Sequence, residues 1–196
     1  MEKYLIILLV LDKKSFLENA DIDENDFIKF SLSPDNKLVP DLHNDLPGKS
    51  IWVPPNRKLI KCIQERDDVK AHFGVSHLFS SDLVHLVKKI LRNKILNSIS
   101  LTKKSGYLAI GLDTIKTQLI EKKHCLIVVA KGAKSLQRYS VFSSKNVSCF
   151  ENLLYQKDLE KSTGKNNVKY IGILSKNFKK TIQVDLNKLK GFMRND

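Results

Sequence analysis

Residues 125–134 read Cys125-Leu126-Ile127-Val128-Val129-Ala130-Lys131-Gly132-Ala133-Lys134, six uncharged positions followed at once by lysine and glycine. A strand with one wet face alternates apolar and polar residues. An unbroken run of this kind marks a central strand covered on both faces. Outward from it the pattern alternates. Upstream, Ser80 is expected to cap a long helix, with Asp82 in its first turn. Leu83, Leu86, Val87, Ile90, Leu91, Ile95, Leu96 and Ile99 keep a 3.6-residue stripe, and Gly106 stands where a C′ glycine would. Tyr107–Ile110 is short and apolar, and Gly111 introduces a second helix over about 113–121. Downstream, 131–144 reads as loop plus a short helix. Ser148 and Glu151 have capping-box spacing for a helix that closes at Gly164. Residues 168–174 form a strand, and 175 to about 190 a last helix. Helices and strands alternating in this way imply a sheet between two helical layers.

The first part of the chain is expected to be a small α+β unit. Tyr4–Leu11 reads as a buried strand and Asp21–Asp26 as an acidic turn. Residues 27–32 then form a strand, followed by the turn Ser33-Pro34-Asp35-Asn36, a return strand at 37–39 and a third strand entered through Gly48. A helix from Pro54-Pro55-Asn56 to about Glu65 completes it. The expected fold class is therefore α/β: an α+β domain over residues 1–78, then a three-layer α/β/α sandwich over residues 79–196.

Composition narrows the function. Leu5–Leu11 is far shorter than the ~20 apolar residues of a membrane span, and Asp12-Lys13-Lys14 follows it where a leader would have small residues. Three cysteines (Cys62, Cys125, Cys149), odd in number and outside CxxC spacing, argue against a disulfide framework or a structural zinc site and for a reducing cytoplasm. No metal or cofactor is expected. The five histidines show no HExxH spacing, and no nucleophile or paired-carboxylate motif stands out, so catalysis is not expected. Ser162-Thr163-Gly164-Lys165 lacks the first glycine and the final Ser/Thr of a phosphate loop.

Charge is the positive signal. The chain carries 34 Lys+Arg and 21 Asp+Glu, net +13. Residues 1–80 have net −2 and residues 81–196 net +15. A field of one sign over one part points to a polyanionic partner. Lys103 and Lys104 beside Gly106 sit at a helix end where backbone can approach a phosphate. The helix start at Gly111, Asp113 and Thr114 offers N–H groups. Lys131 and Lys134 follow the central strand at its carboxyl end, where α/β sheets bind ligands. Arg138 extends that basic stretch. These segments are expected to converge on one face. Tyr107 and Tyr139 are the few candidates for base stacking, which favours structured RNA over single strands.

Residues 27–53 resemble the YlxR-like family of small bacterial nucleic-acid-binding domains, through Lys29-Phe30, Pro34-Asp35, Val39-Pro40-Asp41, Leu46-Pro47-Gly48-Lys49 and Trp52-Val53. Asn36 stands for that family's turn glycine, Lys49 for its arginine and Ser50 for its second glycine. Residues 83–184 resemble the ribosomal-protein-like (YlxQ-like) family that binds kink-turn RNA and has a three-layer α/β/α fold. The matching features are Leu101-x4-Gly106-x4-Gly111, Leu126–Ala130, Leu159-x4-Gly164-Lys165 and Val168-x2-Ile171. At that family's Gly-x-Asn-Glu-x-x-Lys signature this chain has Asp113 for Asn, Thr114 for Glu, and Lys116 displaced by one position. The resemblances imply a cytoplasmic bacterial protein, not an enzyme, that binds ribosomal or other folded RNA in connection with transcription or translation. Lys49 and Lys116 join the residues above as implied RNA contacts. The alternative expectation is a protein-interaction or assembly factor of the transcription–translation machinery.

Overall fold

The structure, a computed structural model, describes residues 24–79, 82–121, 125–136 and 147–193. Tyr4–Leu11, Ser80, Arg138 and Tyr139, each singled out from sequence, lie outside them. The fold is mixed α/β, and the chain divides into two compact units, one running to Leu91 and taking up Asn187 onward, the other Arg92–Leu186.

The first unit holds an antiparallel sheet of β1 (Ile28–Leu32), β2 (Leu38–Asp41) and β3 (Ser50–Val53), with β1 central. Pro40 faces Phe30 across the ladder on an edge strand, where a missing N–H is tolerated. Asn36, in the turn between β1 and β2, has φ +54°, a left-handed conformation that asparagine accepts with little strain. Helix α1 (Arg57–Cys62) starts after the two prolines, because the Asn56 carboxamide accepts the N–H groups of Lys58 and Leu59. A short 3-10 turn and α2 (Asp67–Phe73) follow, the latter a helix that the sequence did not announce.

Helix α3 (Leu83–Lys104) buries Leu83, Val87, Leu91, Ile95 and Ile99, four residues apart throughout. Its cap is Asp82, which lies just outside the helix instead of in the first turn. The Asp82 Oδ1 accepts the His85 N–H at 3.0 Å, and its carbonyl accepts the Leu86 N–H. Gly106 at φ +76° ends the helix as expected.

The second unit is built on β4 (Leu108–Ile110), β5 (Cys125–Val129), β6 (Val147–Glu151) and β7 (Tyr170–Ile173), in the order β4-β7-β5-β6. Strand β7 is antiparallel to both neighbours and β6 is parallel to β5. β4, β5 and β6 therefore all end at the same edge, where β7 begins. Every residue of β5 is buried, as its uncharged run requires. Helix α4 (Leu112–Glu121) supplies Ile115 to a cluster with Ala109, Cys125, Ile127, Val129 and Leu136. Helices α5 (Gln156–Thr163) and α6 (Lys176–Met193) complete the chain.

One element is a correction. Residues 148–151 are not the cap of a helix but part of β6, and α5 starts only at Gln156. The Glu151 carboxylate accepts from the Leu136 N–H at 2.9 Å and from Ser135 at 3.0 Å, so it fastens the loop after β5 and caps no helix. Pairing with β5 over five registered positions outweighs the local capping pattern.

Candidate functional site

Gly111, at φ +93°, leaves β4 and turns the chain into α4. Its own N–H donates to the Tyr170 carbonyl at 3.0 Å, while its carbonyl accepts the Ile115 N–H and closes the first helical turn. The N–H groups of Leu112, Asp113 and Thr114 have no intrahelical acceptor. Asp113 and Thr114 are both exposed, and Lys116 lies 4.0 Å from the Asp113 carboxylate.

The loop after β5 is tied to the same edge. The Ala130 N–H donates to the Lys169 carbonyl at 2.9 Å, the Tyr170 hydroxyl donates to the Lys134 carbonyl at 2.9 Å, and the Lys131 N–H donates to the Leu154 carbonyl at 2.7 Å. Gly132, at φ +82°, makes the tight turn between the two lysines. Lys131, Lys134 and Lys169 are exposed, and among the described residues no carboxylate pairs with any of them. The structure thus brings Gly111, Asp113, Thr114, Lys131 and Lys134 to one edge of the sheet.

It also adds residues that sequence reasoning missed. Tyr155, just before α5, is 49% exposed. The Arg92 guanidinium lies 5.0 Å and the Lys131 Nζ 5.3 Å from its ring centroid, both within cation–π range. Arg92 is fixed by a two-nitrogen fork on Asp158, with Nε at 3.0 Å. The same Asp158 carboxylate accepts the Tyr155 N–H at 2.9 Å. Lys169 and Tyr170 complete the edge. Their neighbourhood is set by strand pairing across some 40–60 residues of sequence, which no local pattern reveals.

Lys103, Lys104 and Gly106 do not join this edge, contrary to the expected convergence. They precede β4, at the sheet's opposite end, where the Leu174 N–H donates to the Tyr107 carbonyl. A five-residue strand such as β5 separates the two ends by about 13 Å. The Lys103 Nζ is also engaged, donating to the Thr163 carbonyl at the C-terminus of α5. That interaction is the favourable one between a cation and the negative end of a helix. Thr163 and Gly164 end a helix, so Ser162-Thr163-Gly164-Lys165 cradles no phosphate; Gly164 has φ +61° and the Thr163 hydroxyl bonds the Leu159 carbonyl. Lys49 belongs to the first unit, where its Nζ donates to the His72 carbonyl at 3.0 Å, beside the end of α2.

The motif residues Lys29 and Asp41 prove to be a buried ion pair at 2.7 Å. Burial pushes the Asp41 carboxyl up. The Lys29 hydrogen bond and the N–H groups of Leu46 and Asp45 outweigh it, and the net pKa lies below the usual carboxylate value. No group of three or more His, Cys, Asp or Glu residues placed to hold a metal ion occurs among the described residues. Burial pushes the Cys125 thiol up to about 11, which keeps it protonated and inert at neutral pH. No helix among the described residues is long and apolar enough to cross a membrane. Comparison of the chain with protein-family models, curated proteins and solved structures finds no match.

Proposed function

We propose that the protein binds structured RNA, without catalysing a reaction on it, through the edge of the second unit where β4, β5 and β6 end. The observation that carries this reading is that the start of α4, with its free N–H groups, lies at the same end of the sheet as Lys131, Lys134 and Lys169, three exposed lysines with no carboxylate partner among the described residues. A helix N-terminus flanked by unneutralised lysines suits phosphate. Few exposed aromatic rings lie beside them, which suits recognition of backbone and shape over base stacking. The net charge of +15 over residues 81–196 supplies the long-range attraction. The resemblance to the kink-turn-binding family implies RNA at Gly111. The resemblance to the YlxR-like family suggests a cytoplasmic setting linked to transcription or translation.

The test is charge reversal. A Lys131→Glu, Lys134→Glu, Lys169→Glu variant should bind a labelled RNA hairpin with an internal loop at least tenfold more weakly while melting like the parent. Unchanged affinity in a folded variant refutes this edge as the binding surface.

A second reading, an assembly factor that contacts protein, draws on the first unit. There Lys61, Glu65, Leu78, Asp82 and Leu83 line a groove of about 500 Å³, and Phe79 is 55% exposed. Pull-down after nuclease treatment separates the readings: partners that persist favour protein contact, and partners that vanish favour RNA.

A further inference from the structure

We propose that Tyr155 is a positioning residue, which holds the Lys131 ammonium over its ring in readiness for a phosphate of the bound RNA; this rests on the RNA-binding reading above. Tyr155, Asp158 and Arg92 form a closed set of contacts. Asp158 accepts the Tyr155 N–H and grips Arg92, and Arg92 lies against the Tyr155 ring, so each of the three is held by the other two. The Tyr155 backbone is thereby fixed at the amino end of α5, with its ring against Arg92. Lys131 is fixed through its backbone on Leu154 and carries its Nζ to 5.3 Å from the same ring.

The two cations differ in how their charge is balanced. Asp158 balances Arg92, whereas Lys131 has no carboxylate partner among the described residues. The cation–π contact restricts Lys131 without neutralising it, because a ring quadrupole attracts an ammonium but carries no net charge. A free surface lysine loses rotamer freedom when it captures a phosphate, and a lysine already confined loses less. The Tyr155 hydroxyl is not needed for this, and the aromatic face is.

Titration of the full chain with a fluorescently labelled RNA hairpin carrying an internal loop tests the assignment. Tyr155→Leu should weaken binding by about two- to fivefold, the scale of an exposed cation–π contact. Tyr155→Phe should bind like the parent. Lys131→Ala should reduce the slope of log Kobs against log salt by about 0.7–0.9, whereas Tyr155→Leu should leave it unchanged, since the phosphate contact persists. In the Lys131→Ala background, Tyr155→Leu should have no further effect. An NMR readout independent of RNA and of any variant is the Lys131 ε-methylene, whose protons should be shifted upfield by the ring in the parent protein. Absence of that shift, or an equal loss from Tyr155→Leu with and without Lys131, overturns the assignment. Failure of the parent to bind the hairpin at all overturns the RNA reading and this inference with it; binding by the parent with a flat double-mutant cycle overturns this inference alone.

Discussion

Lys29, Lys103 and Lys131 are indistinguishable as letters and differ in what surrounds them. Lys29 is buried against Asp41, and removing one partner leaves a charge stranded in the interior. Asp41→Ala should therefore cost about 3–5 kcal/mol in a urea melt. Because the folded pKa of Asp41 lies below its unfolded value, the pair's contribution is present above about pH 4 and is lost as acid takes the pH through the lowered value. The parent should lose stability below about pH 4, and Asp41→Ala should show a shallower loss. Lys103 serves the end of α5, so Lys103→Ala should cost about 0.3–1 kcal/mol and leave RNA affinity unchanged. Equal stability together with weakened RNA binding would return Lys103 to the interface. Lys131 has neither a carboxylate partner nor a helix-end carbonyl among the described residues, and of the three it alone follows β5. The sequence marked Lys103 and Lys131 alike because each stands beside a glycine. Strand topology, which puts them at opposite ends of the sheet, and the carbonyl of Thr163, 60 residues from Lys103, separate them.

Among the elements, those whose signals are local were readable. The unbroken run of β5, the four-residue stripe of α3, and the glycines that end α3 and start α4 each follow from side chains within a few positions. Strand β6 was not, since Ser148 and Glu151 imitate a capping box and the partner strand that overrules them lies some twenty residues back. For the same reason the candidate edge was only half legible: Lys131 and Lys134 announce themselves, while Arg92, Tyr155, Lys169 and Tyr170 arrive through pairing and packing. Gly172 illustrates a constraint that pairing creates. A Cβ there would stand 3.1 Å from the Ile115 Cγ1 and 3.2 Å from the Cys125 Sγ, so a side chain would press α4 and β5 away by a few tenths of an ångström. Gly172→Ala should destabilise the protein by about 1–3 kcal/mol in denaturant melts, as overpacking does. A neutral result would mean that α4 shifts freely on the sheet.

At the level of the whole molecule, charge is divided unevenly along the chain, −2 before residue 81 and +15 from it onward. A basic surface used for phosphate binding differs from one that merely keeps a protein in solution by having its cations gathered and unpaired. Strand direction does the gathering here, since β4, β5 and β6 all deliver their following residues to one edge. The most direct measurement is RNA-hairpin affinity for the parent and the Lys131→Glu, Lys134→Glu, Lys169→Glu variant from about 50 to 200 mM salt. The parent's log Kobs should fall linearly, with a slope of magnitude about 2 or more, and the variant's line should be lower and flatter. A parent affinity indifferent to salt, or two superimposable lines from a folded variant, would contradict phosphate binding at this edge.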